Sequence, residues 1–191
     1  MLNLIKNKKG EVLNLFFQDV GREYYLREIA KNLGKEPGHY QKIINDLVKE
    51  GILEDRRRGN MRFFKLNKDY PLYQELKKII SKTIGIEGRL KELVGGFKDI
   101  KCAFIFGSIA KEKETTASDI DLMLIGEIDH DILIQKVSQL EAELNREINY
   151  HIYGYSEAIN KLKEKNNFFI NVFRQPTIVL KGDLYDFKKF Y

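Results

Sequence analysis

Apolar residues in the first seventy positions recur with helical spacing in three short segments, residues 11–17, 26–33 and 39–50. Gly34 and Gly51 follow the second and third segments and supply helix ends. A four-residue turn, 35–38, separates these two segments. The pattern therefore predicts three helices, of which the last two are joined by a tight turn.

A basic hairpin is predicted directly after the third helix. Ile52 and Leu53 begin one strand, residues 58–60 form the turn, and residues 62–66 form the return strand. Residues 1–70 carry 15 Lys and Arg against 10 Asp and Glu, whereas residues 71–191 carry 18 of each kind. This uneven charge favours a polyanion-binding module joined to a neutral domain.

Residues 10–68 resemble a winged helix-turn-helix domain, an α+β fold that is mostly helical. In that family the third helix enters the major groove of double-stranded DNA and the hairpin lies along the backbone. The resemblance implies these DNA contacts: His39, Gln41, Lys42, Asn45, Arg56, Arg57, Arg58 and Arg62. Winged helices also serve as protein-docking and dimerisation modules, and three adjacent arginines also suit a solvated turn.

A helical connector is predicted over residues 71–96. Its first helix has an apolar stripe that includes Leu72, Leu76, Ile79 and Ile80. This stripe is either the surface of a homodimer, which we expect, or part of a domain core. The predicted domains are accordingly 1–70, the connector 71–96, and 97–191.

Two carboxylates stand inside an apolar segment of the last domain. The strand 100–106 ends at Gly107 and Ser108, a short helix or a charged loop follows over 109–117, and residues 118–126 form a second strand with Asp119 and Asp121 on one face. Buried carboxylates are costly unless a cation compensates them, so the pattern predicts a Mg²⁺ and nucleotide-phosphate site. The alternative makes Asp119 a turn residue and Asp121 an exposed edge charge.

This segment resembles the minimal nucleotidyltransferase domain of the DNA polymerase beta superfamily, over about residues 85–182. The resemblance implies an α/β fold, a mixed sheet with flanking helices. It further implies that Gly107 and Ser108 hold a nucleoside triphosphate and that Asp119 and Asp121 are catalytic and ligate Mg²⁺. A third carboxylate of the family falls at Asn149, whose amide ligates a metal weakly and cannot act as a base. Glu147 and His151 are the residues nearest in sequence that could replace it.

Composition restricts the remaining possibilities. Cys102 is the single cysteine, so an internal disulfide is excluded, and its apolar context predicts a buried filler. No apolar run approaches the roughly 18 residues of a membrane span, and no secretory segment is seen. We therefore expect a soluble, cytoplasmic protein without a membrane partner.

Three functions fit these features. The first is a DNA-binding transcriptional regulator whose nucleotidyltransferase-like domain binds nucleotide and Mg²⁺. The second is an active Mg²⁺-dependent nucleotidyltransferase directed to its acceptor by the winged helix. The third is a toxin–antitoxin component that works beside a small helical partner protein.

Overall fold

The computed structural model describes Ile5, residues 7–111 and residues 118–190. Residues 112–117 of the predicted charged loop therefore lie outside the described residues. The chain divides into two compact units, Met1–Gly88 and Arg89–Tyr191. This division falls within the segment 71–96, for which the sequence predicted a connector.

The first unit is built from four helices and three short strands among its described residues. In chain order they are α1 Lys8–Gln18, β1 Tyr24–Tyr25, α2 Leu26–Asn32, α3 Gly38–Lys49, β2 Leu53–Arg58, β3 Met61–Leu66 and α4 Tyr73–Thr83. The strands form an antiparallel sheet in the order β1-β3-β2. The predicted hairpin is present, and Gly59 takes the left-handed conformation in its turn, at φ 58°.

One hydrophobic cluster holds the first unit together. Phe16, Ile29, Tyr40 and Leu47 from α1, α2 and α3 are almost fully buried in it. Ile80 of α4 joins the same cluster at 1% exposure, whereas its neighbour Ile79 is 42% exposed. The inner side of the α4 stripe is therefore part of a domain core, the second of the two alternatives given above.

The second unit holds a four-stranded sheet and its flanking helices. Helix α5, Ile86–Gly95, crosses the boundary, and the elements that follow are β4 Ile100–Phe106, α6 Gly107–Ala110, β5 Ile120–Gly126, α7 His130–Leu144, β6 Ile148–Tyr153, α8 Tyr155–Lys163, α9 Asn167–Arg174, β7 Ile178–Lys181 and α10 Tyr185–Lys188. The strand order is β6-β5-β4-β7. Strands β5 and β6 are parallel and the other neighbours antiparallel, so the predicted mixed α/β sheet is confirmed.

One face of this sheet packs under α8, α9 and α10. Phe104 and Met123 of the sheet are fully buried there against Phe169 and Phe187 of the helices. Cys102 lies in the same cluster as a free, buried thiol, and burial raises its pKa to about 12. The prediction of a buried filler at Cys102 is confirmed.

Helix α8 begins at Tyr155, and Gly154 occupies its cap position. Within the part of the chain that is described, no helix combines the length and the apolar character needed to cross a membrane.

Candidate active site

The two carboxylates lie at the start of β5, but only one of them is in the strand. Strand β5 begins at Ile120, so Asp119 immediately precedes it and is exposed, while Asp121 is half-buried. The prediction that the strand contains both was wrong for Asp119. The backbone amide of Ile120 donates to the carbonyl of Glu147, 2.9 Å away, and this bond starts the pairing with β6 one residue after Asp119.

Gly107 and Asp121 are packed against each other. Phe106, the last residue of β4, lies opposite Asp121 in the antiparallel register, and the chain turns at Gly107 with φ at 74°. A Cβ atom at Gly107 would collide with Oδ2 of Asp121. Only glycine fits here, because a side chain would be strained at this φ and would displace the carboxylate. The structure thus brings Gly107 against Asp121, and Ser108 follows Gly107 in α6.

The surroundings of Asp121 disfavour the ionised form of its carboxyl group. Burial raises the pKa of its carboxyl group, and the negative charge of Asp119 raises it further, while His151 and Lys111 act in the opposite direction. Two carboxylates in this relation favour a cation between or beside them. A divalent metal would relieve both the burial and the mutual repulsion.

Asn149, the predicted position of the third carboxylate, lies beside the acidic pair. It is opposite Asp121 in the parallel register of β5 and β6, and its Nδ2 donates to Oδ2 of Asp119 over 3.3 Å. The amide therefore presents a donor to the pair. Of the two replacements considered, His151 lies farther along the same strand, opposite Met123, and its charge acts on Asp121. Glu147 precedes β6 and lines a shallow surface depression with Glu141 and Arg146.

The donor set fits Mg²⁺ that is bound together with a nucleotide. Among the described residues, no three His, Cys, Asp or Glu side chains form a group that could hold a metal alone. Two carboxylates supply hard oxygen ligands, and Mg²⁺ commonly takes one or two of these and completes its shell with phosphate oxygens and water. Asp119 and Asp121 would be the protein's ligands to such an ion.

An aromatic patch that the sequence did not predict adjoins the site. The ring of His151 lies 6.0 Å from that of Phe106 and 5.1 Å from that of Phe168, measured between centroids. Phe168 is 38% exposed, whereas its neighbour Phe169 is fully buried. The helical stripe of α9 runs through Phe169, Val172 and Phe173 and leaves Phe168 outside it, and this signal in the sequence could have identified Phe168 as a surface aromatic.

In the first unit, the residues predicted to contact DNA fall into two groups. His39, Gln41, Lys42 and Asn45 are exposed on α3, and Arg57 is exposed on β2. Arg56 and Arg58 instead both form ion pairs with Glu23, the second at 2.9 Å. Three of the four arginines, Arg62 included, are thus engaged in ion pairs within the unit.

Arg62 is held by its neighbours on two sides. Its Nε donates to Asp55 over 2.6 Å and its Nη1 donates to Oδ1 of Asn45 over 2.7 Å. The bond to Arg62 lowers the pKa of Asp55. Gln41, Asn45 and Arg62 line a groove of about 440 Å³ between the helices and the hairpin, together with the exposed side chain of Met61.

With this geometry in place, the second unit can be compared with known families. Residues 89–183 match the family model described as Polymerase beta, Nucleotidyltransferase. We refer to them as the nucleotidyltransferase-like domain. The match begins at the first residue of the second unit and includes Gly107, Ser108, Asp119 and Asp121. No match was found among curated proteins.

Several solved structures are similar to part of this chain at low identity. A toxin–antitoxin complex with AMP-PNP is 16% identical, with a TM-score of 0.41 over 55% of this chain and 79% of that one. A complex of the tri-AMPylated Shewanella oneidensis HEPN toxin with an MNT antitoxin is 17% identical, with a TM-score of 0.36 over 55% and 76%. A possible transcriptional regulator from Methanosarcina mazei Go1 is 14% identical, with a TM-score of 0.33 over 50% and 82%. Identity this low does not transfer a ligand or a partner to this chain.

Proposed function

We propose that the protein is a Mg²⁺-dependent nucleotidyltransferase that binds a nucleoside triphosphate at Gly107, Ser108, Asp119 and Asp121. The observation that carries this proposal is the packing of the Asp121 carboxylate against the left-handed Gly107. Backbone without a side chain lets phosphate oxygens approach, and the Ser108 hydroxyl is a donor for them. The family match over residues 89–183 supports the same function and favours it over a purely regulatory role.

The reaction joins an acceptor hydroxyl to the α-phosphate of the nucleotide. A new oxygen–phosphorus bond forms, the bond to pyrophosphate breaks, and the hydroxyl proton leaves. Bound Mg²⁺ would supply charge neutralisation on the phosphates. The two aspartates hold the ion, and Gly107 and Ser108 orient the phosphate chain.

The amide at Asn149 leads us to expect a low rate of nucleotidyl transfer. An amide cannot accept the hydroxyl proton, and it brings one negative charge less than a carboxylate to the site. Here it donates to Asp119 instead. We therefore expect firm nucleotide binding and slow transfer in the natural protein.

The test combines ligand-induced stabilisation with transfer. At a ligand concentration 100-fold above Kd, Mg²⁺ with nucleoside triphosphate should stabilise the domain by about 2.7 kcal/mol, a shift of several degrees in melting temperature. Asp121→Asn should lose this shift and any transfer of labelled nucleotide. Asp131→Asn, an exposed position in the first turn of α7, makes the same charge change away from the site and should keep both. A full shift in Asp121→Asn would remove this residue from the site and contradict the proposal.

DNA binding by the first unit is the second candidate function. It is supported by the basic excess of residues 1–70 and by the exposed polar residues on α3. As a winged helix, this unit would direct the nucleotidyltransferase-like domain to an acceptor or act as a transcriptional regulator. A homodimer and a small helical partner protein stay predictions, and analytical ultracentrifugation and co-purification test them.

A further inference from the structure

The aromatic patch and Asp121 lie on one face of the sheet. Paired residues of neighbouring strands share a face, so Phe106, Asp121 and Asn149 point to the same side, and so do Met123 and His151 two residues farther along. Neighbouring strands lie about 4.8 Å apart, and each residue advances about 3.3 Å along its strand. The Cα atoms of Asp121 and His151 are therefore separated by about 8 Å through space. The site therefore continues from a charged end into an aromatic one.

Phe168 covers the aromatic end and is held in a defined position. Asn166 caps α9 by accepting from the amides of Phe168 and Phe169, at 3.1 and 3.3 Å. The Phe168 ring is nearly perpendicular to that of Phe106, with centroids 6.1 Å apart, and is tilted against that of His151, with centroids 5.1 Å apart. One side of this ring is thus supported by protein, while 38% of the residue is exposed.

A single exposed phenylalanine needs no explanation on most surfaces. Phe168 differs because its support includes His151, which lies on the same sheet face as Asp121 of the proposed Mg²⁺ and phosphate site. A ligand with a phosphate chain at one end and a flat ring at the other matches this succession of charged and aromatic groups. A nucleoside triphosphate has both parts.

We propose that the base of the bound nucleoside triphosphate stacks on the exposed face of Phe168, with His151 and Phe106 supporting the ring from behind. This inference rests on the proposed function of the same site. Stacking on an aromatic ring is tolerant of base identity and contributes about tenfold or more to affinity. Phe168 is accordingly an affinity residue that neither holds the metal nor takes part in the transfer.

Binding measurements with and without a base test the proposal. The probes are Mg²⁺-ATP and Mg²⁺-tripolyphosphate, measured by calorimetry on the full chain. Phe168→Ala should weaken ATP binding about tenfold and leave tripolyphosphate binding unchanged, and Phe168→Tyr should keep ATP affinity. If neither probe binds the natural protein, the proposed function fails and this inference with it. If both bind and Phe168→Ala affects neither, or weakens both alike, the inference alone is overturned.

A fluorescent reporter gives a second readout, because the chain has no tryptophan. Phe168→Trp places the only indole at the proposed base position, and ATP should quench its emission while tripolyphosphate should not. Tyr155→Trp is the matched control, since Tyr155 is also exposed, at 40%, and lies beyond the opposite end of β6 from Asn149. Emission of this control should respond to neither probe. Equal quenching of both variants by ATP, or equal quenching of Phe168→Trp by both probes, would overturn the stacking.

Discussion

Gly107 can be tested directly, because two independent features exclude a side chain there. Gly107→Ala must place a Cβ at φ 74° and against Oδ2 of Asp121. We expect a loss of about 1–3 kcal/mol in the free energy of unfolding, together with loss of the Mg²⁺-nucleotide shift. Chemical denaturation measures the free energy of unfolding, and thermal melts measure the Mg²⁺-nucleotide shift.

Gly154→Ala is the matched control for this change. Gly154 lies in the same unit with φ at −61°, and no atom would meet an added Cβ within 4 Å. Its stability should change by no more than about 0.5 kcal/mol, and ligand binding should persist. A Gly107→Ala protein as stable and as ligand-responsive as this control would refute the packing argument.

Asn149 is the position where a carboxylate would complete the family pattern. Asn149→Asp removes the donor to Asp119 and adds a third negative charge, so without metal the stability should fall by about 1 kcal/mol. Mg²⁺ alone should then raise the melting temperature more than in the natural protein, and transfer should increase. Asn160→Asp, exposed on α8, carries the same chemical change and should show no gain from Mg²⁺. Equal Mg²⁺ responses in the two variants would place Asn149 outside the metal site.

At the scale of the elements, the hairpin of the first unit carries arginines that form ion pairs with a carboxylate of the same unit. Glu23, which precedes β1, pairs with both Arg56 and Arg58 of β2. Glu23→Gln would free two cations for phosphate. If this unit binds duplex DNA, affinity at low salt should rise several-fold, and the salt slope of log K should steepen by about one to two. Fluorescence anisotropy over a salt series measures both.

Glu54→Gln provides the comparison for Glu23→Gln. Glu54 pairs with Lys65 across the same hairpin at 3.0 Å. Its effect on the salt slope should be smaller. No binding by the natural protein or by Glu23→Gln at low salt would end the DNA hypothesis, and the groove at Gln41, Asn45 and Arg62 would then need another explanation.

At the scale of the whole molecule, the question is whether the first folding unit ends before α4, at residue 70, or after it, at residue 88. A fragment of residues 1–88 keeps all the buried residues of the first cluster, whereas a fragment of residues 1–70 lacks Ile80. Burial of one isoleucine contributes about 1.5–3 kcal/mol, a large part of the stability of a small domain. We expect 1–88 to unfold cooperatively and 1–70 to be much less stable, as measured by circular dichroism during urea titration.

Two substitutions in the longer fragment isolate the cause. Ile80→Ala should cost about 2–5 kcal/mol because it leaves a cavity, and Ile79→Ala, at an exposed neighbouring position, should cost about 0.5 kcal/mol or less. Equal stability of the two fragments would mean that α4 is not part of this folding unit.

Patterns within one or two turns of chain were enough to predict the helices of the first unit, the hairpin and the motif of Gly107, Ser108, Asp119 and Asp121, whereas the mixed sheet was implied by the family resemblance. Periodicity and turn residues act over a few positions, and they remain visible in the sequence. The start of β5 after Asp119, the pairing of Glu23 with arginines more than 30 positions away, and the meeting of Phe168 with His151 were not visible. These features depend on which strands become neighbours and on how helices cover the sheet. Such contacts join residues that are distant in the chain, and only the folded molecule brings them together.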